Sequence, residues 1–248
     1  MYEGVTRCIL DTMKNSTVAT LLSILLLSTQ ILAAVPTTWL QKQPVLAASD
    51  LVDRFLAPDE QPLTSYRALR RLTASTRGGR MRATVEAWTM LDPVEGFKFE
   101  IVSEEGSALI RRKVLIPALE AEQKAASPSE GAQVALNRAN YEFLGISSAA
   151  DDLLRVDVRP RRKHHMLVEG SLLVEPDSAD LVRVEGQLSR RPSFWTRRVR
   201  VQRDYGRVNG VHVPVSMSST ADVLVVGSSM FSMTYRYTEI NGRTVDQH

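Results

Sequence analysis

One cysteine, Cys8, serves 248 residues, and it precedes an apolar N-terminal stretch. A product processed after that stretch would hold no disulfide, no thiol nucleophile and no cysteine metal site. Histidine is almost as scarce: His164, His165, His212 and His248 are the whole supply. His164 and His165 are adjacent, so on a strand they would point to opposite faces and could not chelate one ion together. No metal and no cofactor is expected. The chain also lacks a Gly-x-Ser-x-Gly nucleophile elbow, a phosphate-cradling glycine loop and a His-Glu-x-x-His pair. The acidic neighbours Asp151 and Asp152 read as the start of a loop. An enzyme is therefore not expected. The formal charge of +3 is too small an excess to argue for nucleic acid as a partner. An apolar share of 44% excludes a disordered composition and suits a globular domain, expected as a monomer.

What is present begins with an export-type leader. Residues 18–34 are apolar apart from Thr20, Ser23, Ser28, Thr29 and Gln30, with Lys14 before them and Ala33, Ala34 and Pro36 at the exit. A basic start, an apolar middle and a small-residue exit make a secretory signal peptide over 1–34, with Met13 as an alternative start. The expected location is periplasmic or exported. The alternative is an uncleaved segment that tethers the chain to the inner membrane, since the run is near the lower limit for spanning. A proline-containing linker follows over 35–48, and a single domain is expected over 49–243.

Within that domain the dominant signal is alternation. From 164 to 240 apolar side chains recur at every second position, with turn residues between. Side chains alternate faces along a strand, so the pattern builds one apolar and one wet face. In 195–205, Trp195, Val199, Val201 and Tyr205 share one parity, which Arg197 and Arg203 interrupt. Met166, Val168, Leu172 and Val174 form another such row, as do Val182, Val184 and Leu188, and Phe231, Met233, Tyr235 and Tyr237. Asn209-Gly210 predicts a tight hairpin, and Glu175-Pro176-Asp177-Ser178 a turn. Upstream, Arg77-Gly78-Gly79 joins expected strands at 66–76 and 80–90. A second hairpin is expected from 97–103 and 107–112 around Glu104-Glu105-Gly106, and a strand over 153–158.

Helical spacing enters at three places. Ser49 or Asp50 predicts the cap of a short helix through Leu56. Residues 114–126 carry Leu115, Leu119 and Glu122 or Gln123 at helical spacing, with Pro117 in the first turn. Residues 130–140 continue as a further helix. These pieces interrupt the strands and can lie across the open side of a sheet.

Several segments occur in a recognisable order: Pro160-Arg161-Arg162-Lys163, then 168–175, 181–186, Pro192-Ser193-Phe194-Trp195, 205–214 and Tyr235-Arg236-Tyr237. This ordered set resembles the C-terminal half of the outer-membrane lipoprotein-sorting, LolA/LolB-like superfamily, in particular its uncharacterised periplasmic members. The resemblance covers roughly 141–242. It implies a mainly β (α+β) fold: a half-open antiparallel β-barrel with helices covering the open mouth, and an apolar cavity between. It further implies a periplasmic carrier that binds a lipid or the acyl chain of a lipoprotein. A cell-envelope sensor or protein-interaction domain on the same scaffold is the alternative.

Under that scaffold Trp88, Phe99, Trp195, Met217, Phe231 and Met233 are the candidate cavity lining, because flat or flexible side chains suit a guest of variable shape. The same residues would equally serve as ordinary core. The basic clusters, 159–163 and Arg190-Arg191 with Arg197, Arg198 and Arg200, admit two readings. They can attract anionic head groups at a membrane surface, or they can be solvated strand edges that discourage edge-to-edge pairing.

Overall fold

The computed structural model describes residues 45–57, 60–126, 128–191, 196–223 and 227–246. The expected leader over 1–34 and Trp195 lie outside them. The described chain is mainly β. The strands are β1 (Tyr66–Thr76), β2 (Met81–Asp92), β3 (Gly96–Gly106), β4 (Tyr141–Ser148), β5 (Leu154–Pro160), β6 (Val168–Val174), β7 (Leu181–Leu188), β8 (Thr196–Val208), β9 (Val211–Val223), β10 (Gly227–Ile240) and the short β11 (Arg243–Thr244). All pairings are antiparallel, in the order β3-β2-β1-β10-β9-β8-β7-β6-β5-β4, with β11 added to β10. Strands β3 and β4 are the edges, so the sheet does not close into a barrel.

Hairpins explain most of this order. Asn209 and Gly210 both have positive φ, 51° and 82°, as a two-residue turn between right-twisted strands requires. The first strand pairs with β10, which brings the two ends of the domain together. Asn241 ties them: its Oδ1 accepts from the Thr64 amide at 2.8 Å and the Ser65 amide at 3.1 Å, and its Nδ2 donates to the Pro62 carbonyl at 2.9 Å.

The register aligns one row of opposed residues across the whole sheet. It runs Phe143, Val158, Gly170, Gly186, Val201, Ser219, Phe231, Ala74, Ala83, Gly106. Directly opposed residues share a face, so this row identifies one inner face. Gly170 and Gly186 sit in it because β6 and β7 approach too closely for a side chain. A Cβ on Gly170 would lie 2.1 Å from the Glu185 carbonyl oxygen.

Two sets of helices cover that face. Helix α1 (Val45–Phe55) places Leu51 and Val52 against Val156, Val158, Leu172 and Val174. A second segment comprises α2 (Ala108–Ile110), a wide π-helical turn (Arg111–Leu115) and α3 (Ile116–Ala125). It packs Ile110, Leu115 and Leu119 on Leu72, Ala74, Ala83, Val85 and Ala87. Pro117 cannot donate to the carbonyl of Lys113, and the wide turn accommodates that lost bond. Helix α4 (Pro128–Val134) follows.

Several expectations require correction. Residues 107–112 are not a strand: Ser107 donates to the Arg82 carbonyl and ends the ladder, and Arg111 then donates back to Ser107 to begin the helix. The partner of β3 is β2, across a turn in which the Asp92 carboxylate accepts from the amides of Val94 (2.8 Å) and Glu95 (2.9 Å). The helix expected at 114 thus starts at Ala108, and α1 starts at Val45, ahead of the expected cap. The helix expected over 130–140 ends at Val134, where Asn140 Nδ2 donates to the carbonyls of Ala132 and Ala135. In β7, Leu181 and not Val182 takes the buried place opposite Val174, because a bulge shifts the register there. His164 and His165 do not diverge on a strand; they precede β6, with ring centroids 4.3 Å apart.

Candidate ligand-binding face

The inner face is apolar at both flanks and charged in the middle. On β1, inward positions read Tyr66, Ala68, Arg70, Leu72, Ala74. Arg70 therefore points into the interior and is only 1% exposed. Glu122 on α3 meets it with both oxygens: Nη1 donates to Oε2 at 2.5 Å and Nη2 to Oε1 at 3.0 Å. The Tyr66 hydroxyl accepts a further bond from Nη2 at 2.5 Å. The guanidinium also lies 4.5 Å from the Tyr235 ring centroid and 5.1 Å from that of Phe97. Burial opposes its charge, but the Glu122 carboxylate outweighs burial and holds its pKa above the ordinary value. Burial pushes the Tyr66 hydroxyl up to about 12 and raises Tyr235 and Tyr237 as well, so all three phenols stay protonated at neutral pH.

A second inward arginine differs. Arg203 on β8 stands opposite Met217 on β9 and donates one bond, from Nη2 to the Tyr235 hydroxyl at 3.4 Å. Its Nε, like that of Arg70, is sealed from solvent without a hydrogen-bond partner among the described residues. Among the described residues no carboxylate lies within ion-pair distance of it. The nearby Glu122 is committed to Arg70. Tyr235 thus lies between two cationic side chains, of which Arg70 is ion-paired to Glu122 and Arg203 is not.

Beside Arg203 runs a strip that, among the described residues, neither helical cover packs. The opposed inner pairs are Val199 with Ala221, Val201 with Ser219, and Arg203 with Met217. Val199, Val201 and Ala221 are partly exposed and belong to none of the three packed apolar clusters. At a strand rise of about 3.3 Å, the strip from Val199 to Arg203 is about 13 Å long.

Of the expected lining residues, Phe99, Met217, Phe231 and Met233 come together. They pack in one cluster beneath Ile110, Leu115 and Leu119. Trp88 does not join them. It shares parity with Arg82 and Glu86 on β2, faces the opposite side of the sheet, and lies 4.6 Å from the Arg67 guanidinium. The inner parity of β2 is instead small, with Ala83, Val85 and Ala87 fitting beneath the helices.

Two polar clefts of about 440 and 420 Å³ lie over β6 to β9. Glu169, Glu185, Gln187 and Arg200 line the first together with Val201 and Ser219; Lys163, Arg191 and Arg198 line the second together with Val199. The other basic cluster is engaged in structure. Arg159 pairs with Glu142 at 2.7 Å, Arg161 donates to the Arg138 carbonyl at 2.8 Å, and Arg162 donates to the Gln133 carbonyl. Asp151 and Asp152 form the β4–β5 turn, both with φ of 58°. No three of His, Cys, Asp and Glu among the described residues are placed to hold a metal ion. No helix among them is long and apolar enough to cross a membrane.

Comparison of the chain with family models, with curated proteins and with solved structures returned no match.

Two features of this face were given no role from sequence. Both inward arginines carried a signal, since each occupies an apolar parity, Arg70 between Ala68 and Leu72 and Arg203 after Val199 and Val201. The uncovered strip carried none, because which strands the helices cover depends on tertiary placement.

Proposed function

We propose that the protein is a binding or carrier protein for an acyl-chain amphiphile, a lipid or the acyl portion of a lipoprotein, acting in the periplasm after export. It works by burying the chain, without covalent chemistry. In this reading the sheet is a half-open barrel whose mouth α1 and the 108–125 segment partly cover. The observation that carries it is the uncovered inner strip of Val199, Val201 and Ala221, which runs between the two helical covers and abuts Met217. Burial of apolar surface supplies the driving force, at about 25 cal/mol per Å². Met217, Met233 and Phe231 border the strip, and their adaptable shapes suit a chain of variable length. The exposed Arg190, Arg191, Arg198 and Arg200 then offer transient contact with an anionic membrane surface.

Titration with a fluorescent fatty acid tests this. Saturable enhancement that Val201→Asp abolishes is the expected result. Enhancement that is absent, or equal in the variant, refutes the reading. An envelope sensor or protein-interaction domain on the same scaffold would present the strip to a protein instead and show no uptake.

A further inference from the structure

Arg203 is only partly exposed and, among the described residues, has no carboxylate at ion-pair distance, although Tyr205, Tyr235 and the more distant Glu122 favour its charge. Removing a guanidinium from water costs several kcal/mol unless an anion or a full set of acceptors replaces it. Arg70 shows what this interior provides when it intends a closed structure: a two-oxygen carboxylate, a phenol and three aromatic faces. Arg203, on the next but one strand from β10, receives one long bond to Tyr235 and one ring, Tyr205, at 5.8 Å. Guanidinium groups stay protonated at any pH a folded protein survives, so the charge cannot be removed by titration. The acidic side chain next along β8, Asp204, is no substitute. It points to the other face, where Arg183 (2.5 Å), Ser216 (2.6 Å) and Gln202 (3.2 Å) donate to it.

The position of Arg203 is as informative as its charge. It closes one end of the uncovered apolar strip, after the Val199–Ala221 and Val201–Ser219 pairs. A cation at the end of an apolar track is the complement of an amphiphile with an anionic head. We infer that Arg203 binds the anionic head group of the guest, a carboxylate or phosphate, while Val201 and Val199 take the first part of its chain. A planar guanidinium offers the two-point geometry that both head groups match. The Tyr235 hydroxyl, within reach of Arg203, can turn to donate to the same anion. This inference deepens the proposed function and rests on it.

The test uses the full chain and two ligands of equal chain length, laurate and dodecanol, measured by titration calorimetry. Wild type is expected to bind laurate at least about tenfold more tightly, because a charge-assisted bond is stronger than a neutral one. Arg203→Gln should reduce laurate to the level of dodecanol and leave dodecanol unchanged, and Arg203→Lys should restore part of the preference. Thermal unfolding of the ligand-free variants is the second readout. Removal of a cation that has no ion-pair partner should make Arg203→Met melt at or above wild type, whereas an arginine that merely props up Tyr235 would make it melt lower. Equal binding of the two ligands by wild type overturns the head-group assignment and leaves the carrier reading standing. Failure of both to bind overturns the carrier reading and this inference with it.

Discussion

Among the described residues Glu122 is the only carboxylate that reaches the buried Arg70, and its removal has a calculable cost. Glu122→Gln takes away the negative charge and one of two charge-assisted bonds, of 2.5 and 3.0 Å, from a guanidinium that is 1% exposed. Breaking a buried pair from one side costs roughly 3–5 kcal/mol, because the remaining charge is stranded. The Glu122 side chain keeps 31% exposure, so water can enter beside Arg70 and the lower end, about 3 kcal/mol, applies. For a domain of this size that is a fall of about 6–12 °C in Tm. Urea unfolding followed by circular dichroism measures it. Glu120→Gln, on the exposed side of the same helix, is the matched control and should fall within about 0.5 kcal/mol of wild type. Replacing both partners, Arg70→Met with Glu122→Leu, should recover most of the loss, since an apolar pair leaves no buried charge. If Glu122→Gln costs no more than Glu120→Gln, the claim that the 108–125 segment is ion-paired to the sheet interior is wrong.

Three further outcomes follow from the same structure. Leu119→Ala, at a fully buried contact between helix and sheet, should cost about 2–5 kcal/mol in urea unfolding. Gly170→Ala should destabilise far more than Gly145→Ala, whose Cβ meets nothing within 4 Å, because β6 and β7 must separate to admit the methyl group; refolding yields and Tm compare the two. Asp204 has a folded pKa held below 3.8: burial opposes this, but bonds from Ser216, Arg183 and Gln202 outweigh it. The unfolded chain therefore binds the proton first, so the stabilisation is complete well above pH 4 and is lost as pH falls through the folded value. Asp204→Asn should flatten the acid limb of a pH–stability curve while leaving its shape at neutral pH unchanged.

Alternation made most strands legible, because one face of each is packed and the other is wet. It read the first hairpin within a residue or two and found the existence of β8, β9 and β10, whose ends run several residues beyond the apolar rows, and Asn209-Gly210 located the β8–β9 turn. It failed at 107–112, where Ser-Ala-Leu-Ile-Arg-Arg has no second-position rhythm and where tertiary packing of Ile110 selects a helix. It misplaced Val182 because a bulge, invisible in sequence, moves Leu181 inward. It also promoted Trp88 on size, although its parity with Arg82 and Glu86 already placed it outside. The two inward arginines were visible as breaks in apolar rows, but their different fates depend on Glu122, which reaches only Arg70.

The central claim is that an amphiphile occupies the strip between the helical covers. Native mass spectrometry of the chain incubated with laurate and transferred without detergent tests it most directly. The predicted spectrum contains a one-to-one complex that Val201→Asp removes. A spectrum of ligand-free protein at every laurate concentration would contradict the account.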